Sequence, residues 1–407
     1  MFGKTLSSCR LLLLAPAALL VASCSSDGGA VMAEGVVVDT LANGAVHVTT
    51  PAEGLWELTD AQPWRLVEDL RIGQVDGEGP EVFGSVRNVI PDSLGRIWVM
   101  DSQAHELRVF DPEGAFVQTV GGMGEGPGEF IGNSCAFPGP PGEIWVEDAR
   151  RRWQRFDLEG DLIESHPVTN NLGCGNRQWT PDGRFLVVLT EGSMMDGTRQ
   201  TFFLSNTFSE EGELVPGDTI SPPELTFEHD ILWTETDGIR RIGSSIPFAH
   251  RPRWVLGPSG DFFVADEPGA YKIRRQSLAG DTLLVMERSF VPVPVSEDER
   301  AEAIDAFVLE GFTAEPSFSE GDVPTVHPPF DRFFIDGDGT VWVNSQRENG
   351  ETALDVFSAD GHYLGSAQVP DDFDRMWIHH VKGDHMYGRA TDDLDVSYAV
   401  RLFIERP

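Results

Sequence analysis

The chain has 407 residues, of which 43 are Gly and 27 Pro, with 40% hydrophobic and 10% aromatic side chains. That is enough apolar material for a large core, which excludes wholesale disorder, and too many turn formers for a helical bundle, because Gly and Pro are costly inside helices. Thirty basic residues against 66 acidic ones give a formal charge of −36, and only Lys4, Lys272 and Lys382 are lysines, so there is no broad basic surface to suit a nucleic-acid backbone.

Lys4 and Arg10 precede the apolar run Leu11 to Ala22, too short to cross a bilayer and suited to the core of a signal peptide. The run ends in Val21-Ala22-Ser23-Cys24, which resembles a bacterial lipobox. The expectation is cleavage after residue 23, lipidation at Cys24, and a small polar tether over 24–34. The alternative makes Cys24 an ordinary residue behind a plain signal peptide. Cleavage removes two basic residues and no acid. An anionic membrane surface would repel the mature chain, so its membrane attachment is expected through the lipid only. The expected address is the bacterial cell envelope, at the outer membrane or facing the periplasm.

Residues 35–62 read as an accessory β-ribbon, because Val36-Val37-Val38-Asp39 and Ala45-Val46-His47-Val48 flank the hairpin signal Asn43-Gly44. A lone strand follows, Trp64 to Ile72. A glycine before an apolar triplet then recurs: Gly95 before Ile97-Trp98-Val99, Gly142 before Ile144-Trp145-Val146, Gly183 before Phe185-Leu186-Val187, Gly260 before Phe262-Phe263-Val264, and Gly339 before Val341-Trp342-Val343. A weaker copy starts at Gly383. The underlying period is near 45 residues, that of a propeller blade, with insertions of roughly 30 residues in two intervals. These insertions are placed at about 213–248 and 289–328. Second strands and turns follow, ending at Gly114, Gly160, Gly212, Gly280 and Gly361. Triplets without alternation suit strands covered on both faces. The segment from Trp377 to Glu405 holds three strand-like runs, so the Trp64 to Ile72 strand is expected to supply the fourth and close the ring. Within the second insertion, Ser296 to Glu310 predicts a helix with a Ser296/Glu299 capping box.

The stretch from Asp92 to Asp101, through Leu107-Arg108-Val109-Phe110 to Gly114, resembles an NHL-type repeat, and 63–407 is similar to bacterial six-bladed β-propeller lipoproteins. The resemblance implies an all-β fold, a six-bladed β-propeller closed by an N-terminal strand, and a surface location. More distant six-bladed propellers include calcium-dependent lactonases and quinoproteins.

No Gly-x-Ser-x-Gly elbow, His-Glu-x-x-His motif or Cys-x-x-Cys pair occurs, so catalytic residues are unassigned. Gly121 to Gly128 reads as an interblade turn, since Glu125 and Glu129 would repel a phosphate. Asp336-Gly337-Asp338-Gly339 reads as a tight turn and lacks the remaining acids of a calcium loop. His379, His380, Asp384 and His385 cluster, but adjacent strand residues point to opposite faces, so His379 and His380 are not expected to share an ion. No metal site and no cofactor is assigned, calcium being the one to test. With Cys9 lost and Cys24 lipidated, Cys135 and Cys174 are left to pair as a disulfide.

Arg87, Arg177, Arg253 and Arg332 occupy one repeat slot on the inner strands. They read either as guanidinium forks for an anionic ligand at the channel mouth or as stitches between blades, paired with Asp101, Asp148 and Asp266, each six residues after its blade glycine. The expected function is a binding platform for an unidentified ligand or protein, with an anionic small molecule or a glycan as candidates. The alternative is a metal-dependent hydrolase or lactonase.

Overall fold

The computed structural model describes residues 35–132, 134–149, 152–167, 177–191, 200–209, 214–225, 232–236, 240–244, 246–307, 320–347 and 351–407. Six antiparallel blades form the ring. The first contains strands Val86–Pro91, Ile97–Asp101, Glu106–Phe110 and Phe116–Gly121, and the second Cys135–Pro138, Glu143–Glu147, Arg152–Asp157 and Leu162–Pro167. The third runs from Arg177–Trp179 to Leu214–Ile220, the fourth from Arg253–Leu256 to Thr282–Arg288, and the fifth from Arg332–Ile335 to Tyr363–Ala367. The sixth combines Met376–Lys382, His385–Thr391 and Ser397–Glu405 with the N-terminal strand Arg65–Ile72, which pairs antiparallel along Ser397–Glu405 and closes the ring.

Local turn chemistry explains why the blade signature folds this way. Asp92 Oδ1 accepts the backbone N–H groups of Leu94 and Arg96 at 2.8 and 2.9 Å, and its Oδ2 accepts Trp98 Nε1 at 2.9 Å. The fifth blade repeats the device: Asp336 accepts Asp338 and Thr340 N–H at 3.0 and 2.9 Å, and Trp342 Nε1 at 3.0 Å. One carboxylate thus caps the turn and fixes the indole that the next strand buries. Asp336 is a turn residue here.

The apolar triplets fill the seams. Six buried clusters each join two successive blades, from Trp98 and Met100 with Ile144 and Val146 between the first and second, to Val86 and Val99 with Tyr387 and Ala399 between the sixth and first. A seventh cluster, Ile246, Ala249 and Val323 with Ile304, joins the two insertions. Its helix Glu297–Phe307 carries the expected capping box, Glu299 N–H to Ser296 Oγ at 3.1 Å and Ser296 N–H to Glu299 Oε2 at 2.8 Å.

Two expectations change. The N-terminal ribbon, Val37–Thr40 with Val46–Thr50, is no separate accessory: Val46–Thr50 pairs parallel with Thr282–Arg288 and makes the fourth blade a six-stranded sheet. The following Leu55–Leu58 turn sets Trp56 against Gly365 of the fifth blade, where a Cβ would lie 2.6 Å from the indole. Hydrophobic pattern alone could not show this pairing, because the partner strand lies more than 200 residues away. The first insertion also begins later than 213, since Leu214–Ile220 is the outer strand of the third blade.

Candidate functional site

Four antiparallel strands return each blade to the face from which its inner strand starts. The interblade linkers, and the ends of both long insertions, therefore attach at one face, that from which the inner strands start. The slot arginines begin the inner strands on that face: Arg177, Arg253 and Arg332 pair with Val187, Ala265 and Asn344 of the strands behind them.

A cavity of about 520 Å³ occupies the channel, lined by inner-strand residues of the sixth, first, second and third blades and by Arg389 from the second strand of the sixth. Arg87, Arg177 and Arg389 supply its charge, His379, His380 and Asn88 its neutral polar groups, and Phe137 and Trp377 its aromatic walls. No carboxylate is among the described residues lining it. Two β-bulges build this arrangement. The first-blade register passes from Val86↔Asp101 to Asn88↔Met100, and the sixth-blade register from Ile378↔Gly388 to His380↔Tyr387, so Arg87 and His379 are the extra residues. A bulge re-aims the side chain it inserts. His379 and His380 both line the cavity, and the bulge at His379 interrupts the strict alternation that the sequence reading used.

The polar groups are held in place. His379 Nδ1 accepts the N–H of Val89 at 3.2 Å, Arg389 donates to Val86 O at 3.2 Å, and Asn88 Oδ1 accepts Ala136 N–H at 3.1 Å. Arg177 pairs with Glu147 of the second blade and lies 4.5 Å over the Phe137 ring. Burial pushes the Arg177 guanidinium down to about 10. Burial, reinforced by His380, Arg389 and Arg87, pushes His379 down to about 3, and burial alone takes His380 to about 4. Both imidazoles are therefore neutral at pH 7, and His379, with Nδ1 accepting, carries its proton on Nε2.

The four slot arginines do not converge. Arg253 and Arg332 line a neighbouring cavity of about 460 Å³ with Arg251, His327, Asp331 and Asp374. Arg332 lies 4.0 Å over the ring of Trp377, which lines the channel cavity, so this stack marks the boundary between the two. Arg253 reaches Asp331 at 3.9 Å, and burial lowers the pKa of both arginines.

The expected Arg–Asp stitch takes another form. Asp101, Asp148 and Asp266 pair within their own blades, with Arg108 at 3.5 Å, Arg152 at 2.5 Å and Arg274 at 2.5 Å. Arg108 and Arg152 then clamp the interblade linkers, donating to Pro80 and Val82 carbonyls and to those of Glu125, Gly126 and Glu129. The slot arginines instead cross the seams to Glu147, Asp331 and Trp377.

The missed residue is Arg389. It stands six positions after Gly383, where three other blades place an aspartate, and aligning that weak sixth copy would have exposed the reversal of charge. Among the described residues, no three His, Cys, Asp or Glu side chains gather as metal ligands. Cys135 is disulfide-bonded, while Cys174 and Cys24 lie outside the described residues, as does Gly212.

A family model described as DUF5128, 6-bladed beta-propeller, matches residues 82–166, the first two blades and the linker before them. Among solved structures, the chain is similar to a protein of Bacteroides fragilis described as exported, at 13% identity and TM-score 0.48 over 89% of this chain and 99% of that one. A DUF4221 family member from Bacteroides vulgatus matches at 12% and 0.44, over 84% and 98%. Virginiamycin B lyase from Staphylococcus aureus matches at 11% and 0.36, over 83% and 88%. No curated protein sequence matches the chain.

Proposed function

We propose that this six-bladed propeller is a lipid-anchored binding platform of the bacterial cell envelope, which takes a small polyanion into its channel cavity. A polycarboxylate, an acidic sugar or a phosphorylated metabolite has the right chemistry. One observation carries the reading: a cavity of about 520 Å³ lined by arginines of three blades and, among the described residues, by no carboxylate, in a chain with 66 acidic residues. The volume is that of a small-molecule site. Guanidinium forks bind carboxylate and phosphate bidentately, and the neutral His379 Nε2–H adds a donor that needs no titration.

Metal-dependent hydrolysis would ask for carboxylates and imidazoles converging on a cation. Here a cation would meet three guanidinium groups, and His379 Nδ1 is already occupied by Val89 N–H.

Thermal unfolding of the mature chain with citrate, tricarballylate, glucuronate and inorganic phosphate tests the reading. At least one should raise the melting temperature, as a ligand of the native state must, and the Arg87→Gln variant should lose the effect. No shift with any of them, in low salt, would argue against it.

A further inference from the structure

A third cavity, of about 430 Å³, lies at the seam between the fourth and fifth blades and is organised around Asp355, which is 1% exposed. Asp355 Oδ2 accepts Tyr271 Oη at 2.5 Å, Arg288 Nη2 at 2.8 Å and Ser345 Oγ at 2.8 Å, and its Oδ1 accepts Tyr363 Oη at 3.0 Å and Ser366 Oγ at 2.5 Å. Arg288 is clasped between the Tyr271 and Tyr363 rings at 4.0 and 4.4 Å.

A carboxylate only accepts, so the hydroxyls of Ser345, Tyr363 and Ser366 spend their hydrogens on Asp355 and keep lone pairs for whatever enters the cavity they line. Donors stand beside these acceptors: Arg288 Nε is buried with no hydrogen-bond partner, and Gln346 and Arg347 also line the cavity. The charges of the lining balance, with Arg288 and Arg347 against Asp355 and Glu57, so an anion would meet two carboxylates and a cation two guanidinium groups. Groups that donate and accept at once, without charge, satisfy both halves. Phe290, Val293, Pro328 and Pro329 supply the apolar part of the lining.

We propose that the seam cavity binds a neutral, hydroxyl-rich ligand, a sugar or polyol, at a site separate from the channel. Its hydroxyls meet the Ser345, Tyr363 and Ser366 oxygens and the Arg288 guanidinium, and its C–H face rests on the proline and valine side chains. This site does not depend on the polyanion reading.

The test is calorimetry and saturation-transfer NMR on the mature full-length chain with methyl glucoside, methyl galactoside, methyl mannoside and maltose. At least one should bind. Ser366→Ala removes one acceptor and should weaken that binding about fivefold to tenfold. Because Ser366 also supports Asp355, a second variant leaves the floor intact: Val291→Trp, at a rim position 64% exposed, should block the mouth and abolish binding without lowering the melting temperature. Arg389→Gln in the channel should leave sugar binding unchanged. The proposal is overturned if no probe binds the parent, if binding survives Val291→Trp, or if Arg389→Gln removes it.

Discussion

The Nδ1 of His379, in the sixth blade, accepts the backbone N–H of Val89, in the first, at 3.2 Å. This bond crosses the seam between the sixth and first blades, two residues from the bulged Arg87. It satisfies an inner-strand N–H and fixes the imidazole as a neutral group in the channel wall.

The burial of His379 and its neighbour His380 makes stability depend on pH. In the unfolded chain His379 and His380 titrate near 6.5, whereas in the fold burial holds them near 3 and 4. Between those values the unfolded state binds more protons, so their stabilising contribution is complete above pH 6.5 and is lost as pH falls toward 4. Acidification also relieves repulsion among the many carboxylates, so the informative quantity is a difference. His379→Gln, whose amide oxygen can still accept Val89 N–H, should show a smaller loss of urea midpoint from neutral pH to about 5 than the parent. Equal losses would show that His379 does not remain neutral for the reason given.

Truncation reports on the N-terminal ribbon. Because Val46–Thr50 extends the fourth blade and Trp56 seats on Gly365, deletion through Pro63 should lower the melting temperature markedly, and Trp56→Ala alone should cost about 3–5 kcal/mol. Deletion through Ile72 should abolish folding, since it opens the sixth blade to an unpaired edge. A ribbon deletion that melts like the parent would contradict this packing.

Legibility in the sequence followed the range of the interaction. The blade turns were readable because Asp92, Gly95 and Trp98, and again Asp336, Gly339 and Trp342, act within a few residues of one another. The closing strand was readable because the last repeat lacked one. The channel cavity was only half visible: the slot arginines were found, but their division between two cavities depends on where neighbouring rings stack, as Arg332 does on Trp377. The bulges at Arg87 and His379 break the alternation on which strand reading rests, so the periodicity alone does not show that His379 lines the channel. Arg389 was hidden by the weakness of the sixth repeat, and the parallel pairing of the ribbon with Thr282–Arg288 by its sequence distance.

The cysteines give two further tests. Cys135, at the start of the second blade's inner strand, is disulfide-bonded, and Cys174 is its proposed partner. Thiol labelling of the unfolded, unreduced chain should find neither free, and reduction should cost about 3–4 kcal/mol in the chain-entropy account of a loop near 40 residues. Two labelled thiols per chain would remove the bond.

For Cys24, the Cys24→Ser variant should move the protein from the membrane to the soluble fraction, because a chain this acidic has no other attraction to an anionic surface. Unchanged membrane association would place the anchor elsewhere.

The central claim is that the channel cavity holds an anion on Arg87, Arg177 and Arg389, and calorimetry with citrate, tricarballylate, glucuronate and phosphate on the parent and Arg389→Gln tests it most directly. One anion should bind the parent at one site per chain, more weakly as salt rises. Losing a charge-assisted pair should weaken it about tenfold to a hundredfold in Arg389→Gln, which remains folded at the temperature of the measurement. Equal affinity in the two proteins, or a parent that binds none of the four anions, would contradict the account.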